Sequence, residues 1–314
     1  MSNNSENEKL FLYDKGRLFS TLVDILIHFD EFCERNNLQY YAFAGTLLGT
    51  IRHKGIIPWD DDIDVVMPRE DYDKMLSLVS NSGLDLRYQF LNADIDPYFP
   101  KSFTRLTNTD TTEIPIKDAM YKYNHGCFID IFPVDYIPEG KVKRSVYYRI
   151  TDLYIQLLHV AGRYQSNAGS VGMSRLRRVI YSLSAPLFNS GFLSVKKISA
   201  KLNKHASKYI KKKDDCKEIG TIVFSAGNPR FIYKKDDYLG GAVRWPFEST
   251  SIYIPKGYDN ILRKTYGDYM TPVKQQSEHG NTIVDLDTGY EEYIKAHYKE
   301  LQELFISARM NQVK

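Results

Sequence analysis

The chain is poor in the features that mark disulfide-rich and membrane-spanning proteins. Its 314 residues include three cysteines, Cys33, Cys127 and Cys216. They are far apart and show neither the paired spacing of a zinc site nor the density of a disulfide scaffold. No uninterrupted run of about 18 apolar residues is present, so no membrane-spanning helix is predicted. Residues 1–9 are polar and lack the apolar core of a signal peptide. These absences predict a protein of a reducing compartment with a cytoplasmic catalytic face.

Acidic residues are nearly absent from one long stretch. Residues 141–213 contain 16 Lys and Arg against one acidic residue, a net charge of +15. Because the whole chain has 42 basic and 39 acidic residues, the remainder holds 26 basic and 38 acidic residues, a net charge of −12. Within the basic stretch, an apolar segment broken by Pro and Gly lies between basic pairs at 177–178 and 196–197. This pattern favours an element at the inner face of an anionic cell membrane.

The alternative interpretation of 141–213 is a mainly helical insertion whose charges are simply solvated. We predict one catalytic domain over 1–314 that contains this insertion. No recognised nucleic-acid-binding motif accompanies the basic residues, so no nucleic-acid partner is predicted.

The sequence also contains a dense run of carboxylates. Asp60, Asp61, Asp62 and Asp64 fill four of five positions and lead into the apolar residues 65–66. Such a cluster repels itself unless cations neutralise it. Mg²⁺, or Mn²⁺ in its place, favours carboxylate oxygens and commonly bridges to substrate phosphates. Asp62 and Asp64 are two apart, so on a strand their side chains share a face. The alternative is a solvated acidic loop or a helix cap.

Two further segments support phosphate chemistry. Gly45 and Thr46 follow a predicted short strand at 40–43 and precede a predicted helix at 47–53. Such a turn points backbone N–H groups and a helix dipole at an anion, here the donor phosphate. Asp130 lies in the centre of an apolar run, where an ionised carboxylate is costly unless it is paired or bound to metal. Asp62, Asp64 and Asp130 together are the three carboxylates that two-metal phosphoryl transfer needs.

These segments resemble the LicD family of phosphocholine transferases, which includes the fukutin-type ribitol-phosphate transferases. The matching strings are Gly-Thr-Leu-Leu-Gly at 45–49, Ile-Pro-Trp-Asp-Asp-Asp-Ile-Asp at 57–64, Phe-Ile-Asp-Ile-Phe-Pro at 128–133, Trp-Pro-Phe-Glu at 245–248 and Tyr-Gly-Asp-Tyr-Met-Thr-Pro at 266–272. The resemblance implies an α/β (α+β) nucleotidyltransferase-like fold with a small mixed central sheet flanked by helices. It also implies transfer of a phospho-alcohol from a CDP-alcohol, often CDP-choline, to a sugar hydroxyl, with release of CMP.

Site residues also carry over from the resemblance. Asp62, Asp64 and Asp130 correspond to metal ligands and to the catalytic carboxylates, while Asp60 supports the site. The cysteine-rich zinc element of fukutin-type members has no counterpart, so no zinc is expected and a bacterial-type member is favoured. The acceptor is then a glycan or a lipid-linked glycan precursor of lipopolysaccharide, teichoic acid or capsule.

Other residues are weaker candidates for substrate contact. Basic side chains are candidates for a phosphate clamp, tryptophans for the cation–π recognition of choline, and histidines beside the motifs for substrate contact. They are Arg52, Lys101, Arg105, Trp59, Trp245, His125 and His279. The alternative for each is a surface charge or ordinary core packing.

Several hypotheses remain open at this stage. The donor headgroup is choline, ethanolamine, glycerol or ribitol. A protein of the same fold is alternatively an NTP-dependent nucleotidyltransferase that releases pyrophosphate. A third possibility is a non-catalytic, membrane-docked assembly module. Local patterns further predict helices at 10–36, 258–266 and 290–309 and an irregular segment at 109–123.

Overall fold

A mixed β-sheet forms the centre of the molecule. The computed structural model describes residues 13–79, 87–171, 173–273 and 281–311. The strand order is β1 (Tyr41–Ala42), β2 (Asp64–Pro68), β6 (Cys127–Ile137), β4 (Thr104–Asn108) and β3 (Tyr88–Leu91). Strands β2 and β6 are parallel, and the other pairs on this path are antiparallel. Strands β7 (Glu218–Gly220) and β8 (Ile232–Lys234) extend the sheet from the far half of β6. The predicted mixed sheet is confirmed.

Strand β6 is the central strand of this sheet, between β2 and β4. All eleven of its residues are buried, because it pairs with neighbours on both edges and helices cover its faces. One covering helix is α1 (Lys15–Asn36), whose buried side chains recur at helical spacing. Helix α1 begins after Asp14, whose carboxylate accepts the N–H groups of Gly16 and Arg17. The predicted start at Leu10 lies outside the described residues.

Nine further helices are present in the described residues. They are α2 (Ala44–His53), α3 (Arg69–Val79), α4 (Lys141–Gln165), α5 (Arg175–Asn189), α6 (Val195–Ala206), α7 (Ile222–Ser225), α8 (Lys235–Leu239), α9 (Tyr258–Tyr266) and α10 (Tyr290–Asn311). Short 3₁₀ segments cover Ile116–Asp118, Ser207–Asp215 and Pro229–Phe231. In the described ranges, no helix is both long and apolar enough to cross a bilayer. The three cysteines are buried and free.

Two strand pairs lie outside the central sheet. Strands β9 (Ala242–Phe247) and β10 (Thr250–Pro255) form a hairpin. Strand β5 (Thr112–Pro115) pairs with β11 (Thr282–Asp285). The prediction of an irregular segment at 109–123 is therefore wrong in part, because β5 gains its strand partner from a segment far along the chain.

Helix α2 begins three residues earlier than predicted. Gly45 and Thr46 belong to its first turn and do not form a separate turn before it. The backbone enters the helix through Ala44, which has a φ of +43°. For a residue with a Cβ this left-handed conformation costs about 1–2 kcal/mol, and such strain is concentrated at functional sites.

Candidate active site

A cleft of about 800 Å³ lies at one end of the central sheet. Its walls include the first turn of α2, the loop at 57–64, the ends of β2, β4 and β6, one face of α4, and residues 265–273. The volume falls within the range of about 300–1,000 Å³ that is usual for small-molecule sites. Six carboxylates line it, and four of them come from the acidic loop and the adjoining strands: those of Asp60, Asp62, Asp64 and Asp130.

Strand register brings these carboxylates together. Asp64, the first residue of β2, is the direct neighbour of Asp130 on the parallel strand β6. Asp62 precedes β2, and its side chain lines the same cleft as that of Asp64. The predicted shared face of Asp62 and Asp64 is thus present. The sheet also places Arg105 of β4 opposite Asp130.

The electrostatics of the carboxylate cluster fit a divalent cation. Burial raises the pKa of Asp62 well above its usual range, and repulsion from Asp64, Asp60, Asp61 and Asp130 raises it further. Carboxylate oxygens of Asp60, Asp61 and Asp62 all lie within 4.8 Å of one another. A cation among them would remove the repulsion that raises this pKa, and an all-oxygen ligand set suits Mg²⁺ or Mn²⁺. The residues present therefore suit the expected metal, but among the described residues the close group is Asp60, Asp61 and Asp62 and not the predicted set of Asp62, Asp64 and Asp130.

Asp130 has a buried cationic partner in the structure. Arg105 donates its Nε–H to Oδ1 of Asp130 at 2.7 Å, and both side chains are buried. The Arg105 guanidinium also lies 3.5 Å from the ring centroid of Phe128. Arg105 lines the cleft with its charge paired to Asp130, so its contact with a donor phosphate stays a prediction.

Gly45 and Thr46 have different surroundings. Gly45 lines the cleft, and a Cβ added to it would lie 2.8 Å from Oδ2 of Asp60. Thr46 is buried and lies outside the cleft lining formed by the described residues. Its Oγ1 accepts the backbone N–H of Asp64 at 2.8 Å. Thr46 therefore positions the acidic strand, which corrects its predicted contact with phosphate.

Arg52, Trp59 and Lys101 line the cleft, as predicted for substrate contacts. The Arg52 guanidinium donates to the carbonyl of Tyr269 at 3.0 Å and lies 5.8 Å from the Trp59 ring centroid. Lys101 donates to Oδ2 of Asp118 at 3.0 Å. Burial alone would raise the pKa of Asp118, but the charge of Lys101 lowers it below its usual range. Both cations thus have protein partners at the cleft wall.

Two predicted contacts are not at this cleft. His125 is buried and its Nε2 lies 3.1 Å from the carbonyl of Tyr121. Burial lowers the pKa of His125 to about 4, so the ring is neutral at physiological pH. Trp245 lies on β9 against Tyr258, with ring centroids 5.9 Å apart. Neither side chain is part of the lining formed by the described residues. The predicted contact of His279 falls outside the described residues.

Known proteins resemble the chain over the segments that form this cleft. The family model described as LicD/FKTN/FKRP, nucleotidyltransferase domain, matches residues 37–156. The lipopolysaccharide cholinephosphotransferase LicD of Haemophilus influenzae is 28% identical over 261 residues, which cover 82% of this chain and 92% of that protein. Over these residues the chain resembles the LicD family, and the resemblance found in the sequence motifs is confirmed. These similarities support an enzyme of the LicD type.

Shorter similarities link this chain to two uncharacterized proteins. The one from Rickettsia prowazekii is 41% identical over 56 residues, 18% of this chain and 21% of that protein. The one from Rickettsia typhi is 43% identical over 51 residues, 16% of each chain. These matches carry no functional description and add no argument about chemistry.

Several residues of the cleft were not predicted from the sequence. Tyr266, Asp268 and Tyr269 line the cleft, and the string at 266–272 contained the signal for them. Arg230 and His159 also line it, but they lie in segments without a motif. Their place at the site follows only from the packing of the α7–α8 region and α4 over the sheet.

Glu248 is a further residue that was not predicted, and it holds the loop that leads to the acidic run. Glu248 forms the turn of the β9–β10 hairpin, with a φ of +48°. Its Oε1 accepts the N–H of Ile56 at 2.8 Å, and its own N–H donates to the carbonyl of Lys54. The string at 245–248 therefore contributes a contact that fixes the loop leading to Asp60.

Proposed function

We propose that this LicD-type enzyme is a Mg²⁺-dependent transferase. It moves phosphocholine from CDP-choline to a sugar hydroxyl of a cell-surface glycan precursor and releases CMP. The observation that carries the proposal is the convergence of Asp60, Asp62, Asp64 and Asp130 on one cleft, beside the start of α2. The name of the Haemophilus influenzae relative supports the reaction class. On this proposal the enzyme works at the cytoplasmic face of the membrane on a lipid-linked acceptor.

The acidic residues would hold the cation. Asp62 and Asp64 are the proposed principal ligands, and Asp60 completes the negative end of the cleft. Asp130 would contribute the oxygen that Arg105 holds less closely, since Nη2 of Arg105 lies 3.5 Å from Oδ2. Bound Mg²⁺ supplies neutralising charge at the donor diphosphate and lowers the pKa of a coordinated hydroxyl.

Cationic and backbone groups would hold the donor diphosphate. The first N–H groups of a helix have no partner within it, and Phe43 provides no side-chain cap for α2. Ala44 and Gly45 line the cleft at this point. Arg230 lines the same cleft. An anion at this position benefits from the helix dipole and the unused N–H groups together.

The proposed reaction is a single displacement at phosphorus. The acceptor hydroxyl oxygen attacks the choline-bearing phosphorus of the donor and forms a new P–O bond. The bond from that phosphorus to the bridging oxygen of the diphosphate breaks, and CMP leaves with the bridging oxygen. Asp130 is the proposed acceptor of the hydroxyl proton, held in orientation by Arg105. Positioning and charge neutralisation carry most of such a reaction.

The lining of the cleft favours a quaternary ammonium headgroup. Choline cannot donate a hydrogen bond and is recognised by aromatic ring faces. Eight aromatic side chains line the cleft: Phe43, Trp59, Phe103, Phe132, Phe224, Phe231, Tyr266 and Tyr269. Trp59 remains a candidate for this contact, whereas Trp245 does not. Glycerol and ribitol depend on hydrogen bonds and would gain less from these rings.

The test measures CMP release from CDP-choline, CDP-ethanolamine, CDP-glycerol and CDP-ribitol with Mg²⁺ and a crude glycolipid acceptor. We expect CMP from CDP-choline and a loss of at least about 100-fold in Asp62→Asn, as for other groups that stabilise transition-state charge. Asp24→Asn, at an exposed position of α1, supplies the control for the loss of one carboxylate.

Other outcomes separate the alternatives. Release of pyrophosphate from an NTP, without CMP from any CDP-alcohol, would identify a nucleotidyltransferase. CMP from another donor would keep the reaction and change the headgroup. Donor binding without turnover, equal in wild type and Asp62→Asn, would support a non-catalytic module.

A further inference from the structure

Helix α5 carries an apolar stripe that faces solvent. Its members are Leu176, Val179, Ile180, Leu183 and Leu187, which are 50–76% exposed. At about 100° per residue they fall within a stripe roughly 100° wide. Of the fifteen residues of this helix, all of them described, only Phe188 is buried. Isolated exposed apolar residues are ordinary, but a continuous stripe on one helix indicates a binding surface.

The opposite face of α5 fixes the helix to the body of the protein. Tyr164 of α4 stacks on Tyr181 at 4.0 Å and on Phe188 at 4.5 Å between ring centroids. The Tyr164 hydroxyl also lies 2.9 Å from Oγ of Ser184. These contacts leave the apolar stripe directed away from α4, as the exposure of its residues shows.

Cations border the stripe. Arg175 and Arg177 lie about 100° to either side of Leu176 on the helix, and both are exposed. Beyond the C-terminus of α5, the exposed Phe192 is followed by exposed Lys196 and Lys197. Helix α5 contains no acidic residue. Aliphatic side chains between cations are the pattern of a helix that lies in the surface of an anionic bilayer.

Helix α4 connects this surface to the cleft. Its residues Ile155, Leu158 and His159 line the cleft, while Tyr164 holds α5. Leu158 and Tyr164 are six residues apart, about 9 Å along the helix axis. A bilayer at α5 would therefore lie close to the substrate cleft, where a lipid-linked acceptor has to enter.

We propose that the apolar stripe of α5, bordered by Arg175 and Arg177, docks on an anionic lipid bilayer. The stripe lies in the headgroup region, and the flanking cations contact lipid phosphates. The link to a lipid-linked acceptor rests on the proposed function, but docking itself requires no turnover. Low salt strengthens it, because the Debye length falls from about 10 Å at 0.1 M to about 3 Å at 1 M salt.

The test is co-sedimentation of the full chain with phosphatidylcholine vesicles, with and without phosphatidylglycerol, in the absence of substrates. We expect the wild type to bind the anionic vesicles. We expect Leu183→Asp to bind them at least about tenfold more weakly, since burial of one leucine side chain contributes about a factor of ten in affinity. Val142→Asp is the matched control: Val142 is 78% exposed and Leu183 is 76% exposed, and both lie within 141–213. Thermal melts establish that both variants are folded.

Three outcomes would overturn the proposal. Equal binding to neutral and anionic vesicles would show that the flanking Arg175 and Arg177 do not contribute to docking. Equal loss in Leu183→Asp and Val142→Asp would assign binding to net charge and not to the stripe. A halved mass of Leu183→Asp in light scattering, without vesicle binding by the wild type, would show that a second copy covers the stripe. CMP release in the donor assay is independent of all three, so this proposal and the proposed reaction can fail separately.

Discussion

Glu113 is a buried carboxyl behind the cleft, on β5. Its side chain is 3% exposed, and its Oε2 has no hydrogen-bond partner among the described residues. Burial, followed by repulsion from Asp61, raises the pKa of Glu113 to about 8. An unfolded glutamate titrates near pH 4.3. Between these two values the folded state binds one more proton than the unfolded state.

This difference predicts a pH-dependent stability. The free energy of unfolding should fall as pH rises from about 4.3 to about 8, with a slope of up to about 1.4 kcal/mol per pH unit from this group. Glu113→Gln should remove that slope, so the variant becomes more stable than the wild type by at least about 1 kcal/mol near pH 8. Urea unfolding at several pH values in EDTA measures it. Glu303→Gln, at an exposed position of α10, is the control; parallel pH profiles of wild type and Glu113→Gln would contradict the prediction.

Individual site residues were predictable where a chemical pattern was local. The carboxylate run and Asp130 were recognisable because ionised groups beside apolar strands need a partner. The partner itself was not recognisable: Arg105 meets Asp130 only through the antiparallel register of β4 and β6. His125 and Trp245 lie beside motifs in the sequence, but their side chains turn away from the cleft. The direction in which a side chain of a motif points depends on tertiary packing, and the motif alone does not determine that packing.

A buried ion pair joins three elements of the fold. Arg69, the first residue of α3, donates Nε–H and Nη2–H to the two carboxylate oxygens of Asp135 in β6, at 2.7 and 2.8 Å. Its Nη1 donates to Asn203 of α6 at 3.2 Å. Arg69 is 1% and Asp135 0% exposed. The pair therefore ties the sheet to the basic segment at 141–213.

Loss of one partner should be costly. Arg69→Met would leave Asp135 buried without its cation, and we expect a loss of about 3–5 kcal/mol in the free energy of unfolding. Urea unfolding of Arg69→Met, Asp135→Leu and the double variant measures the coupling. The double variant should recover much of the loss, because no uncompensated charge remains. Single variants within about 1 kcal/mol of the wild type would show that the pair does not hold these elements together.

Whole helices and strands were predictable where the pattern of apolar residues within the element itself indicates it. The helix Tyr258–Tyr266 was located at its observed bounds, since its apolar residues recur at helical spacing. The expected break of the helical region near 186–191 is confirmed, since α5 ends at Asn189 with Pro186 in its last turn and the next helix begins at Val195. Strand β5 was missed because its partner, β11, is remote in sequence. Strand pairing over such separations leaves little local trace.

At the scale of the whole molecule, charge is divided between two regions. The segment at 141–213 carries +15 and the remainder −12. The sequence alone shows this division, but not that α4 spans from the cleft to α5. The acidic remainder contains the carboxylate cluster, so the enzyme combines an acidic cleft with a basic outer helix. We therefore expect the acidic cleft to interact with cations and the basic outer helix to interact with anions.

Divalent cations should stabilise the folded chain as a whole. A ligand that binds only the native state adds RT ln(1 + [L]/Kd) to the free energy of unfolding, about 1.4 kcal/mol at ten times Kd. For a chain of 314 residues, at about 2.1 cal/mol/K of unfolding entropy per residue, each 1 kcal/mol raises Tm by about 1.5 °C. We therefore expect saturating Mg²⁺ to raise the Tm of the wild type in EDTA-treated buffer, relative to NaCl of equal ionic strength. Asp62→Asn should lose this rise and, because repulsion within the cluster is relieved, should melt above the metal-free wild type. An equal Mg²⁺ shift in both proteins would place the cation elsewhere.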